Sequence, residues 1–167
     1  MDALAESGVW IPIMPFPHVK ATGLRKGQRG LLFDSGIAGE LLNIEDPIHM
    51  KEEEKNAVFR TAMLSDLLAN LSTEFPNLEY WYFQRNSTLI DLIIKVNERY
   101  HPIIIWESAQ TCRCPNSIWN LGKKHASGLH WGDAFIIYRG TEIRPISEYY
   151  IRGWFVPFDA YVKRSGY

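Results

Sequence analysis

The chain has 167 residues, 46% hydrophobic and 13% aromatic, with 18 basic residues against 19 acidic ones. That size and balance fit one domain with a sizeable core, and they exclude intrinsic disorder and a histone-like polycation. No apolar run approaches the roughly 18 residues of a membrane span, and the N-terminus lacks the basic and apolar regions of a secretory signal. Cys112 and Cys114 are too few for a disulfide framework. The expectation is a cytoplasmic globular protein that does not engage the membrane.

Residues 1–29 read as an arm. Val9–Pro17 carries three prolines in an apolar run, which predicts an edge strand or extended segment and not a central strand. His18–Arg29 has two glycines and the basic residues Lys20, Arg25, Lys26 and Arg29, with no acid. It reads as an exposed loop whose side chains are either solvated or turned toward phosphate. Leu31–Ile44 opens on an apolar pair, with Asp34 or Ser35 as a helix N-cap.

Phe59, Ala62/Met63, Leu67 and Leu71 then recur at helical spacing, behind acids at Glu52–Glu54 that suit a helix N-terminus. One long amphipathic helix is predicted from about Met50 to Ser72, ended by Pro76-Asn77. After it the period changes. Leu78–Gln84, Thr88–Val96 and Pro102–Ser108 are rich in aromatic and β-branched residues and read as strands, the last two an antiparallel hairpin. Their near-continuous hydrophobicity says that both faces are covered. Pro115 to about Ala126 reads as a short helix, Ala134–Gly140 as a strand, and Tyr150–Phe158 as a weaker last strand. The order is α-β-β-β-α-β, an α/β protein with a mixed sheet.

No glycine-rich loop has the spacing of a phosphate-binding loop, so the chain carries no ATP site of its own. The informative feature is a pair of acids inside apolar strands, Asp91 and Glu107. A carboxylate buried in a strand is costly unless it is paired, hydrogen-bonded or metal-bound. Two on adjoining strands can converge and hold Mg²⁺ or Mn²⁺ for phosphodiester hydrolysis, or each can simply sit at a strand end or pair with an arginine. Cys112 and Cys114 with His101, His125 and His130 contain ligand types for zinc but lack a second cysteine pair. Asp133 reads as a turn acid, Arg139 as part of a turn at Gly140, and the six tryptophans as packing residues in no regular base-stacking pattern.

The segments GLLFDSGIAGELLNIEDP (30–47), AVFRTAMLSDLL (57–68), YWYFQRNSTLIDLIIKV (80–96), IIIWES (103–108) and FIIYRGTEI (135–143) occur in a characteristic order. Together they resemble the C-terminal domain of unknown function that follows the ATPase and winged-helix parts of many bacterial and archaeal AAA-type ATPases. The resemblance covers roughly Gly30 to Phe158. It implies a PD-(D/E)XK nuclease-like, restriction-endonuclease-like αβββαβ core with helices on both faces over residues 30–167. It also implies that residues 1–29 are the remnant of a winged-helix region, the ATPase part lying outside this chain.

Carried over residue by residue, the family's strand aspartate falls on Asp91 and the acid of its Glu-x-Lys pair on Glu107. The lysine position holds Ala109, and the helix glutamate beside the phenylalanine is replaced by Arg60 next to Phe59. An intact cluster has two net negative charges for a divalent ion to neutralise, whereas Arg60, Asp91 and Glu107 together have one. An inward Arg60 would bridge both carboxylates and repel Mg²⁺ by several kcal/mol at an effective dielectric of about 20. The expectation is a vestigial, metal-free site in a domain that binds nucleic acid, an ATPase or a second copy of itself. The alternative is a Mg²⁺- or Mn²⁺-dependent deoxyribonuclease using Asp91 and Glu107. In that case Lys95, on the face of Asp91 by period-two geometry, replaces the lost lysine and Glu52–Glu54 the lost helix acid, while Gln110 alternates to the opposite face.

Overall fold

The computed structural model describes residues 9–19, 27–32, 36–37, 40, 49–85, 88–108, 118, 120–121, 128–146 and 153–157. They form a mixed α/β architecture. Eight strands make one sheet: β1 (Trp10–Pro15), β2 (Arg29–Leu32), β3 (Glu79–Arg85), β4 (Thr88–Val96), β5 (Arg99–Trp106), β6 (Ala134–Tyr138), β7 (Arg144–Ile146) and β8 (Gly153–Pro157). Their order across the sheet is β2-β1-β3-β4-β5-β6-β8-β7. The β3-β4-β5 meander is antiparallel, whereas β5, β6 and β8 run parallel.

The helix α1 (Glu52–Glu74) lies on one face, shifted two residues from its predicted start and end. Its start is set by Glu54, whose carboxylate accepts the Lys51 N–H at 2.8 Å. Its end is set by Pro76, which forces Phe75 out of helical geometry, while the Phe75 N–H still closes on the Leu71 carbonyl. Met63, Leu64, Leu67 and Leu68 are buried against Ile13, Leu31, Tyr82, Leu92, Ile94, Ile103 and Ile105, each contributing about 1.5–3 kcal/mol. The buried Ser65 hydroxyl donates to the Leu32 carbonyl at 2.7 Å and ties the helix to β2.

The opposite face buries Phe83, Ile90, Ile93, Ile104, Ile136 and Phe155 together with Ile118 and Leu121, both from the segment expected to be the second helix. Both faces of the central strands are therefore covered. The rest of that expected helix, and the N-cap at Asp34 or Ser35, lie outside the described residues.

Several strand readings need correction. β1 is not an edge strand: β2 pairs outside it and β3 inside it. Pro12 is tolerated because it lies before the β3 pairing, which covers only Met14 and Pro15, and Pro15 because it lies past the β2 pairing, which ends at Ile13. β2 and the three-residue β7, with a proline at its centre, are too short for a readable period. The β4–β5 connection is only Asn97-Glu98, both at positive φ (50° and 60°), so β5 begins at Arg99 and runs through Pro102. Tyr100 exchanges backbone bonds with His130 and Gly132 on the β6 side. By alternation, the missing Pro102 N–H falls in the gap between that bridge and β6.

Glu98 occupies a left-handed position that favours glycine. Glu98→Gly should therefore raise stability by about 0.5–1 kcal/mol in urea unfolding, less the weak exposed Lys95–Glu98 pair.

Candidate functional site

A β-bulge builds the site. Trp81 pairs with Ile93 but Phe83 pairs with Ile90, so Asp91 and Leu92 together face the single residue Tyr82. The extra residue resets the alternation of β4. Leu92 and Ile94 face α1 and Ile93 faces away, as period two requires, yet Ile90 also faces away. Asp91 therefore shares the α1 face with Leu92 instead of alternating from it.

The same point is where β4 and β5 part. Their ladder stops at Leu92 opposite Ile103, and the next inward N–H, that of Ile105, donates to Asp91 Oδ2 at 2.9 Å. A side-chain carboxylate takes over from a backbone carbonyl. Glu107 reaches the same face by plain alternation from Ile103 and Ile105, just beyond the carboxyl end of β5.

Arg60 completes the cluster. It lies in the row of Leu64 and Leu67 at helical spacing, which turns it toward the sheet. Its Nη1 donates to Asp91 Oδ1 at 2.7 Å, its Nε donates to Glu107 Oε1 at 2.9 Å, and its Nη2 also contacts Glu107 Oε1. The Asp91 side chain is 1% exposed, against 27% for Arg60 and 24% for Glu107. Burial, the largest influence, pushes the Asp91 carboxyl above its ordinary value, while Arg60, the Ile105 N–H and Arg29 pull it back. Burial alone would weaken the Arg60 charge. Its contacts with Asp91 and Glu107 outweigh that, and its pKa is raised.

Both Asp91 oxygens already accept hydrogen bonds, and a guanidinium stands between the carboxylates. Among the described residues, no group of three or more His, Cys, Asp or Glu is placed to hold a metal.

Lys95 does not stand beside Asp91, because the bulge moves the aspartate to the α1 face and leaves Lys95 on the other. There it pairs with Glu98 at 3.0 Å and Glu79 at 3.5 Å. Arg29 is no free loop cation: its guanidinium lies over the Tyr82 ring at 5.3 Å, and its charge is felt by Asp91. Lys20, Arg25, Lys26, Ala109, Gln110, Cys112, Cys114 and His125 lie outside the described residues. His101 Nδ1 bonds to the Asp133 carbonyl at 3.0 Å, and the Asp133 carboxylate accepts from the Trp154 indole at 3.3 Å. Trp81 and Trp131 gather with Phe16 and Tyr100 in one aromatic cluster.

Beside the triad, at the carboxyl ends of β5 and β6, a cleft of about 460 Å³ is lined by Glu52, Asn56, Trp106, Glu107, Ser108 and Arg139. The sequence reading passed over Asn56 and treated Arg139 as a turn residue. The available signal was helical spacing, which stacks Glu52, Asn56 and Arg60 on one face of α1.

No protein-family model matches this chain, and no curated protein or solved structure matches it either.

Replacing Arg60 with methionine strands a buried carboxylate and should cost about 3–5 kcal/mol at neutral pH. Without the guanidinium, the folded-state pKa of Asp91 rises further above its ordinary 3.8. The folded state then holds a proton that the unfolded state releases, so the variant loses stability as pH rises from about 4 to its new folded pKa. Urea unfolding of Arg60→Met should show the smallest deficit near pH 4, and adding Asp91→Asn should recover most of the loss at pH 7.

Proposed function

We propose that this chain is a non-catalytic nuclease-fold domain that binds nucleic acid. On this reading it is a restriction-endonuclease-like αβββαβ core of the kind that follows AAA-type ATPases, working in the cytoplasm with an ATPase supplied by another part or chain. The order of α1, β3, β4, β5, the buried Ile118/Leu121 segment and β6 supports that core. Two acids converge where β4 and β5 part, as a phosphodiester-cleaving site would require.

One observation carries the non-catalytic reading. The Arg60 guanidinium is hydrogen-bonded to both Asp91 and Glu107, in the seat a hydrolytic metal ion would need. Displacing it means separating a partly buried charge from two partners, a cost of several kcal/mol that the ion would have to overcome beside a like charge. Loss of chemistry leaves a nuclease fold able to hold a strand, since packing and catalysis make separate demands on the residues. The basic residues Lys20, Arg25 and Lys26 supply the phosphate contacts in this reading, Arg29 being committed to the Tyr82 ring. Among the described residues, no helix is long and apolar enough to cross a membrane.

The test combines binding with turnover. Fluorescence anisotropy with a labelled oligonucleotide should show affinity falling more than ten-fold between about 50 and 200 mM salt. Supercoiled plasmid should stay intact with millimolar Mg²⁺ or Mn²⁺. Cleavage that Asp91→Ala abolishes would establish the nuclease instead, and absence of binding at low salt would overturn the nucleic-acid reading.

A further inference from the structure

Arg139 lines the cleft beside the triad. Its guanidinium stacks on the Phe59 ring at 4.4 Å, a contact that fixes the plane of the group without consuming its N–H donors. The turn that follows is pinned by the Tyr138 hydroxyl, which donates to the Glu142 carbonyl at 2.7 Å. Among the described residues, the carboxylate paired with it is Glu52, at 4.0 Å and beyond hydrogen-bond distance, on a side chain that is 71% exposed. A loosely held surface carboxylate is easily exchanged for another anion.

The rest of the cleft supplies acceptors. Among the described residues, Asn56 Oδ1 is buried with no hydrogen-bond partner, which costs stability unless a donor reaches it. The bonds from Arg60 to Glu107 both fall on Oε1, which leaves Oε2 for the cleft. A planar cation with unspent donors, next to a carboxylate oxygen and an amide, suits a phosphate joined to a group bearing hydroxyl or amino donors. The position agrees with the rule that ligands of open α/β sheets bind at the carboxyl ends of parallel strands, here β5 and β6.

We propose that this cleft holds one nucleotide unit of a nucleic-acid strand, its phosphate on Arg139 in place of Glu52 and its sugar or base donors on Glu107 and Asn56. The inference rests on the nucleic-acid reading above and assigns that reading a contact point. It makes Arg139 a binding residue and Glu52 an internal competitor for it.

Anisotropy titrations of a short single-stranded oligonucleotide, over a range of salt, test the assignment with the whole chain. Arg139→Gln should weaken binding at least ten-fold and lower the slope of log affinity against log salt by about one. Glu52→Gln should tighten binding, because the competing carboxylate is gone. Arg99→Gln is the control, at the opposite end of the eight-residue β5, about 23 Å away, and should change affinity little. Circular dichroism melting verifies that each variant is folded. Unchanged binding by Arg139→Gln, or an equal loss in Arg99→Gln, would overturn the cleft while leaving nucleic-acid binding in place. Failure of Glu52→Gln to tighten binding would overturn the exchange. Failure of the unaltered protein to bind would overturn the assignment together with the function it rests on.

Discussion

A carboxylate in the centre of a sheet sets the terms for this protein. Asp91 is sealed between β3, β5 and α1, and both of its oxygens must be satisfied there. The Ile105 N–H serves one oxygen and Arg60 the other, so the aspartate closes a gap in the β4–β5 ladder and also anchors the helix electrostatically. Glu107 accepts from Nε and Nη2 of the same guanidinium. The apolar packing of Met63, Leu64, Leu67 and Leu68 holds α1 on the sheet and keeps water from Asp91, and the bonds of Arg60 to Asp91 and Glu107 in turn fix where the first half of the helix must sit.

The geometry depends on one inserted residue. Without the bulge opposite Tyr82, period two would send Asp91 to the face occupied by Ile90 and Ile93, away from Arg60 and Glu107. A charge would then sit among aliphatic side chains at a cost of several kcal/mol. The bulge sacrifices regular ladder pairing and gains convergence of two acids on one cation. A local defect of this kind is a common way for a sheet to aim a side chain at a site.

Much of the framework was legible in the residues, and the failures have physical causes. α1 was readable because its apolar residues repeat at helical spacing and Pro76 ends it. The bounds of β4 were readable from a nine-residue stretch dominated by aliphatic residues. β5 was cut short because Pro102 looked like a strand start, although its missing N–H falls where no partner lies. The hairpin turn was hidden because Glu98 stands where glycine is usual. At the site, the charge of Arg60 and its place in the Leu64–Leu67 row were visible. The bulge was not, since an apolar run shows no phase; Lys95 was consequently placed on the wrong face. Arg139 reads only as a turn residue because its stacking partner, Phe59, lies 80 residues earlier in the chain.

On the proposed reading, a guanidinium held by two acids stands where a hydrolytic metal ion would. Side-chain ¹⁵N NMR of Arg60, followed during addition of Mn²⁺, tests it most directly. A slowly exchanging Arg60 Nε–H is expected, with Arg60 and Ile105 resonances that stay sharp at millimolar Mn²⁺. Selective broadening of those signals at stoichiometric Mn²⁺, with loss of Nε–H protection, would contradict it.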